Sequence, residues 1–408
     1  MGFWRKDKHV VALEVGTCKI AVAVGSLGSD GGMNILGTSE TASAGVRKGE
    51  IVDPKAAAVA LRDAILAAET KIGVTVDEVN LVLSGSHLQC EERVTVKEIL
   101  REDNHIIEAD VAEVHHMVQE QHENAGRFRV TEMPRSYSID GGEPVQDPVG
   151  MIGRRLEAVF MVVHGVQGRL QNFVKCVHEP GIAIVDYALG PVVAAEAILN
   201  EDQKQSGALV IDMGGGLTHY AFFCDGRLEK MGVVGIGGDH VTQDISRAFH
   251  LPLRQSEQIK CSMATVDDDG LDPEQVLQVP ASNGFAGKNI YAKSLATVCR
   301  LRVEETLEII REELGEQVKL FGAGILLTGG GSRLKGVESL VSSVFGKPSL
   351  CARMHHLSGD AEDLSRPELS AVLGMLLTAT RKEAKTRKLK SPLGMFKRAW
   401  EQVRMFAF

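Results

Sequence analysis

The sequence predicts an α/β protein of two similar halves facing a cleft, with a small subdomain inserted into the first half. Three observations carry that reading. Leu13-Glu14-Val15-Gly16-Thr17-Cys18-Lys19 and Ile211-Asp212-Met213-Gly214-Gly215-Gly216-Leu217-Thr218 each set an acidic residue at a strand end and Gly at a tight turn, 198 residues apart. Strand-like and helix-like segments alternate through both halves. A third glycine element, Leu327-Thr328-Gly329-Gly330-Gly331-Ser332-Arg333-Leu334, falls between a strand and a helix. That is where an open α/β sheet has its ligand crevice.

The elements follow in order. Residues 10–15 and 18–24 read as a hairpin about Gly16-Thr17, with a third strand at 33–38. Asp53-Pro54 starts a helix, Asp as N-cap and Pro as first residue. Its apolar stripe is Ala57, Ala60, Leu61, Ala64, Ile65 and Ala68. A short buried strand at 79–83 stops at Ser84-Gly85. Residues 86–158 are richer in charge and His, hold a helix at 108–121, and read as the insert. A core strand resumes at 159–163, then helix 167–178, strand 182–186, helix 190–199 and strand 208–212. The second hairpin pairs 208–214 with 217–224, followed by a strand at 228–235 and a helix at 238–249. Residues 251–290 read as polar and irregular. Helix 290–314, strand 324–328, helix 333–345 and a last body helix at 367–380 complete the second half.

The 408 residues carry 45 Lys and Arg against 54 Asp and Glu, a net charge of −9. Such acidity argues against general nucleic-acid binding. From 381 onward the balance reverses: nine basic residues face only Glu383 and Glu401, which marks the tail as a separate unit. No run of 18 apolar residues predicts a membrane span, and the N-terminus lacks an apolar run long enough for a signal peptide. Seven scattered Cys without a CxxC pair fit a reducing compartment.

Glycine turns between strands present backbone N–H groups to phosphate oxygens without intervening side chains. Gly16, Thr17, Cys18 and Lys19 would do this from one side and Gly214, Gly215 and Gly216 from the other. Either turn alone reads better as a plain hairpin turn with a surface carboxylate. Glu14 and Asp212 would repel phosphate directly but suit Mg²⁺ or its water shell. Thr328, Gly329, Gly330 and Arg333 mark the third element, where glycines permit close approach of an adenosine. No P-loop, Gly-x-Gly-x-x-Gly, Gly-x-Ser-x-Gly or His-Glu-x-x-His motif occurs, and the thirteen His form no metal-ligand pattern. Spacing singles out no water-activating residue: Glu14, Asp212 and Asp186 all remain, with Asp186 the better structural residue.

Residues 391–408 form a distinct pattern. Ser391-Pro392 can cap and open a helix, and Leu393, Phe396, Trp400, Val403 and Ala407 recur at helical spacing, with Phe406 at the edge of that face. Lys397, Arg398 and Arg404 lie on the other side. Sixteen residues give a helix of about 24 Å. A basic face opposite Trp and Phe suits the surface of an anionic membrane, not a span.

Taken together, the three glycine elements resemble the actin/Hsp70/sugar-kinase ATPase superfamily, and within it the FtsA family of bacterial cell-division proteins. The finer likeness rests on Leu83-Ser84-Gly85-Ser86-His87, Pro134-Arg135-Ser136-Tyr137-Ser138-Ile139-Asp140, Asp147-Pro148-Val149-Gly150-Met151 and Ala323-Gly324-Ile325-Leu326-Leu327-Thr328-Gly329-Gly330. The resemblance implies an actin-like, two-lobed core of duplicated ribonuclease-H-like halves. Its first lobe would span 8–85 and 159–190, an FtsA-type insert for filament and partner contacts 86–158, and the second lobe 191–240 and 315–380. A small subdomain at 241–314 would cover the nucleotide, with Arg302 and Glu305 bordering the nucleoside. A basic linker at 381–390 would lead to a membrane-targeting helix at 391–408.

The implied function is an adaptor that binds ATP or ADP with Mg²⁺, self-assembles into filaments and anchors the FtsZ ring. It would sit on the cytoplasmic face of the bacterial cell membrane at the division site. Implied partners are the FtsZ C-terminal peptide, anionic lipid, other copies and other division membrane proteins, with no nucleic acid. One departure concerns hydrolysis. Where the superfamily's second phosphate motif has Thr and an acidic residue, Leu217 and His219 stand here, and Thr218 falls on the opposite strand face. Binding is therefore expected to survive, with hydrolysis weak or absent. The alternative is a soluble small-molecule kinase of the same superfamily, in which the amphipathic tail has no role. An Hsp70-like chaperone would need a long domain after the core.

Overall fold

The computed structural model describes residues 9–27, 32–121, 125–281, 287–354, 357–359 and 361–390. The expected helix at 391–408 lies outside them. Two five-stranded sheets have the same plan. In the first, His9–Val15, Lys19–Leu27 and Met33–Ala42 form an antiparallel meander, and Glu78–Leu83 and Ala183–Leu189 extend it in parallel. In the second, Ala208–Met213, Thr218–Cys224 and Arg227–Val234 form the meander, and Gly324–Thr328 and Ser349–Cys351 extend it in parallel. The duplication read from the glycine turns is thus a duplication of whole sheets.

Both sheets are covered on both faces, which is why their strands read as near-continuous apolar runs. On one face of the first sheet Val11, Leu13, Val22 and Val24 pack under Pro54–Ile72, through Leu61, Ala64 and Ile65. That helix starts as expected: the Asp53 carboxylate accepts from the Lys55 and Ala56 N–H groups at 3.1 Å each, and Pro54 is its first residue. On the other face small residues, Ala12, Ala21 and Ala23, let two helices approach: Gly190–Ile198 and Ser370–Lys390. Val193, Ala194 and Ala197 of the shorter helix face the first sheet, and Ala195 and Ile198 face Val210, Ala221 and Phe223 of the second. One helix is therefore wedged between the lobes. The outer face of the second sheet carries Gly238–Phe249, Ala292–Leu314 and Val337–Phe345.

Four elements differ from expectation. The strand expected to rejoin the first lobe at 159 is Arg155–Val166, the central strand of the insert's own sheet between Gln89–Glu98 and Arg127–Ile139. Its alternation serves two cores. Leu156, Ala158, Phe160 and Val162 meet Val114 and Val118 of helix Glu108–Glu120, while Met161 and Val163 join the first-lobe core. The stretch 251–290, expected to be irregular, forms helix Leu253–Met263 and hairpin strands Val276–Val279 and Lys288–Tyr291. Ile259, Val279 and Ile290 supply enough apolar burial to fix a polar segment on the second-lobe core. Gly330–Arg333 is a tight 3₁₀ turn before the helix that begins at Val337. The basic segment 381–390 continues the helix Ser370–Lys390 instead of standing apart from it.

Candidate nucleotide cleft between the lobes

The two glycine turns are built alike. The Gly16 N–H donates to Lys19 O and the Gly214 N–H to Leu217 O, both at 2.9 Å. They also meet tip to tip. A Cβ on Gly216 would lie 2.5 Å from Thr17 Oγ1, and one on Gly215 would collide with Cys18 Sγ. Glycine is therefore required in the second turn because the first turn occupies the side-chain space. The carbonyls of Gly214 and Gly215 accept from Gly238 N (3.0 Å) and Asp239 N (2.8 Å), the opening amides of helix Gly238–Phe249. This satisfies donors that a helix start leaves free. The N–H groups of Thr17, Cys18, Gly215 and Gly216 donate to no acceptor among the described residues. They are available to an anion.

Both turns border one cavity of about 660 Å³. Of the residues expected there, it brings together Glu14, Gly16, Thr17, Cys18, Lys19, Asp212, Gly214, Gly215, Gly216, Arg302, Gly329, Gly330 and Arg333. Two expected residues are not among the lining. Thr328 is buried in the sheet, and its hydroxyl hydrogen-bonds Pro367 O (2.8 Å) and Ser370 Oγ (3.0 Å). Glu305 is an exposed ion-pair partner of Arg302. At about 100° per residue, Arg302, Thr306 and Val303 share the cavity face of their helix and Glu305 falls off its edge. Arg302 is held by Asp244 at 2.6 Å, and Arg333 by Glu368 at 3.0 Å. The glycines of the third element divide their work. Gly329, at φ 78°, and Gly331 lie against Asp212 and Met213, and Gly330 alone has open space around it.

The acidic strand ends that line the cleft are electrostatically strained. Burial raises the Glu14 carboxyl to about 7, with Lys19 opposing and Asp212 adding to the rise. Burial likewise raises Asp212 to about 6, against the pull of Lys19. Lys19 is lowered by its own burial, and its Nζ lies 2.6 Å from Glu40 and 2.5 Å from Glu368 O. Glu14 Oε2 is buried without a hydrogen-bond partner. Two carboxyls lining the cavity, one with a buried oxygen that lacks a hydrogen-bond partner, suit a hydrated divalent cation. Among the described residues no cluster of three ligating side chains forms a direct metal site. The cation would therefore be held by these two groups and water.

Sequence reasoning missed several lining residues. Glu257 and Lys260 come from the helix in the stretch read as irregular; they pair at 2.7 Å, and Lys260 donates to Gly238 O at 3.1 Å. Gly237 and Gly238 carried a readable signal, a glycine pair between a strand and a helix like that at 329–331. Thr218 lines the cavity, but its hydroxyl donates to Ile236 O at 2.9 Å, so it replaces no lost phosphate contact.

Comparison with known proteins agrees with this geometry. A family model described as cell division protein FtsA matches residues 209–374, and one described as an SHS2 domain inserted in FtsA matches 85–164. The cell division protein FtsA of Bacillus subtilis is 30% identical over 335 residues, 82% of this chain and 76% of that protein. That of Neisseria meningitidis is 27% identical over 384 residues, 93% of this chain and 92% of that protein. Among solved structures, a chain of a PilM-PilN type IV pilus biogenesis complex aligns over 92% of this chain and 99% of its own, with TM-score 0.65 at 16% identity. MreB5 of Spiroplasma citri bound to ADP aligns over 94% and 99%, with TM-score 0.55 at 13% identity. A chain of the MamK double helical filament aligns over 91% and 98%, with TM-score 0.51 at 12% identity. The shared fold is the actin-like one.

Proposed function

This chain belongs to the FtsA family of actin-like cell-division proteins, and from that premise we propose that it is a nucleotide-binding adaptor tethering the division machinery to the membrane. The observation that carries the nucleotide part is the meeting of the two glycine turns, both lining one cavity, with four N–H groups that donate to no acceptor among the described residues. Phosphates lie between the turns, and the nucleoside lies toward Arg302, Val303, Thr306 and the turn at Gly330. Glu14 and Asp212 would hold Mg²⁺ through its water shell, and the ion, when bound, would neutralise charge on the phosphates. Nucleotide bound between two lobes biases how far they close, provided it binds open and closed states unequally. The nucleotide-bound MreB5 and the filament of MamK support both binding and self-assembly on this fold.

The tail supplies the tether. Leu393, Phe396, Trp400, Val403 and Phe406 would enter the membrane interface, and Lys397, Arg398 and Arg404 would meet anionic headgroups. Among the described residues no helix is long and apolar enough to cross a membrane. The partner at the division site is the FtsZ C-terminal peptide, taken by the subdomain at 241–314, and the location is the cytoplasmic membrane face. The soluble-kinase reading leaves the basic amphipathic tail without a role.

Liposome co-sedimentation tests the tether. The full chain should pellet with anionic vesicles, and a 1–390 truncation and Trp400→Glu should not. Equal pelleting of all three would overturn it. Gly215→Val tests the cleft. The added side chain collides with Cys18 Sγ and fills the phosphate approach, so ATP affinity should fall at least tenfold. Retained affinity would make the turn a plain hairpin.

A further inference from the structure

Two parts of the chain combine aromatic and basic residues, and the fold delivers both to one end of the first lobe. One is the tail. The other precedes the first strand and lies outside the described residues: Phe3-Trp4-Arg5-Lys6-Asp7-Lys8 sets two adjacent aromatic residues beside three basic ones, with Asp7 the one acid. Trp and Phe with Lys and Arg suit the headgroup region of an anionic bilayer. Strand His9–Val15 runs toward the cleft, where Gly16 lines the cavity, so its first residues stand at the opposite end of the sheet. Helix Ser370–Lys390 runs the other way. Ser370 lines the cavity and hydrogen-bonds the Thr328 hydroxyl, whereas Leu376 Cδ1 lies 3.4 Å from where a Cβ on Gly25 would be, and Gly25 is the cross-strand partner of Val10. The helix therefore leaves the body beside the start of the first strand.

The lengths match. From Leu376 to Lys390 the helix rises about 21 Å at 1.5 Å per residue. The six residues from Val10 back to Trp4 span at most about 22 Å. The aromatic pair is thus long enough to reach the plane from which residues 391–408 depart. The body between them is no lipid contact of its own. Exposed Asp77 and Glu78 stand at the same end, Glu78 opening the strand paired in parallel with His9–Val15, and an anionic surface repels them. Building on the membrane-tether reading above, we propose that Phe3, Trp4, Arg5 and Lys6 form a second lipid contact that enters the same anionic interface as the tail. Two aromatic residues are too few to hold the chain alone, so the tail remains the anchor. Once the tail is bound, the second contact forms within one molecule and at high effective concentration.

The chain's two tryptophans, Trp4 and Trp400, lie one in each segment, so each contact has its own fluorophore. In the full-length chain Trp400→Phe leaves Trp4 as the sole indole, and Trp4→Phe leaves Trp400; phenylalanine keeps an aromatic ring in both. Each is titrated with equimolar phosphatidylglycerol/phosphatidylcholine vesicles whose acyl chains carry bromine, which quenches an indole only where it enters the lipid. Both tryptophans should be quenched, and far less on phosphatidylcholine alone. At limiting lipid, Phe3→Ser combined with Trp4→Ser should weaken partitioning about tenfold, while excess lipid still captures the chain through its tail. These substitutions precede the first strand and touch no described element. Quenching of Trp400 without Trp4, or unchanged partitioning of the double variant, would overturn this proposal and leave the tail as the tether. Quenching of neither tryptophan would overturn the tether reading, and this proposal with it.

Discussion

Arg135 of the insert reaches Glu229 on the edge strand of the second lobe, its Nε donating to Glu229 Oε2 at 2.8 Å. The insert belongs to the first half of the chain, so this pair ties one lobe's appendage to the other lobe. Met231, two residues along the same strand, packs into the first-lobe core with Val130 and Met161. Gln146 adds a hydrogen bond to Asp225 O at 2.8 Å. The edge of the second sheet is thereby covered, which removes a site for unwanted strand pairing.

Arg135→Ala should destabilise the chain by about 1–3 kcal/mol, since it leaves the half-buried Glu229 with only the looser Arg227 contact at 3.7 Å. The loss should also be local. Hydrogen exchange should accelerate in the insert strands and in Arg227–Val234 before the rest of the second sheet. A double-mutant cycle with Glu229→Ala isolates the pair: a coupling near zero would show that the apolar contact at Met231 alone seats the insert.

The acidic pair at the strand ends predicts a pH dependence. Glu14 ionises near 4.5 in the unfolded chain and near 7 in the fold, raised chiefly by burial. Between those values the native state binds the extra proton, so stability falls as pH rises, and the cost is complete above pH 7. Asp212 adds a slope of the same sign between 3.8 and about 6. His219 acts oppositely: its pKa is lowered from 6.5 to about 4, so the stability it contributes is present above 6.5 and lost as pH falls toward 4. Lys19, facing both carboxyls, moderates their shifts. Glu14→Gln should therefore be nearly neutral near pH 4.5 and stabilise the nucleotide-free protein by about 3 kcal/mol at pH 8. Urea unfolding at the two pH values reads this directly. A gain independent of pH would mean that Glu14 is not the titrating group. The same variant should weaken Mg²⁺-dependent nucleotide binding, a trade of function against stability.

What was legible in the sequence follows from how each feature is encoded. Gly16, Gly214 and Gly329 were readable because tight turns and close approaches demand glycine, and Asp53-Pro54 because a helix start has few solutions. The course of 155–166 was not readable. Its alternation matches either core, and only the pairing of Gln89–Glu98 and Arg127–Ile139 on its two sides assigns it to the insert. Glu257 and Lys260 were hidden because their helix is mostly polar and Ile259 is its one buried apolar side chain. Glu305 and Thr328 lie outside the cavity lining for one reason. Adjacency in sequence to cavity residues does not set which face of a helix or strand a side chain takes.

The last helix gives a prediction about the tether. It runs unbroken over Ser370–Lys390, buried through Leu373 and Leu376 on the first sheet, and Arg381 is clamped to Glu196 at 2.5 Å. Glu196 also binds the buried Lys204 at 3.0 Å, so the clamp is rooted in the wedge helix between the lobes. Beyond Arg381 the helix extends for residues 382–390, roughly 14 Å at 1.5 Å each. A stiff arm fixes the direction in which the tail leaves the body, whereas a flexible chain would not. Inserting two helix-forming residues after Lys385 rotates everything beyond by about 200°, and inserting seven rotates it by only about −20°. Sedimentation with anionic vesicles should be the same for both insertions, because the amphipathic tail is unchanged. Ordered assembly on a lipid monolayer, seen by electron microscopy, should fail with two added residues and survive with seven. Equal assembly with both would show that 382–390 acts as a loose tether in spite of its helical form.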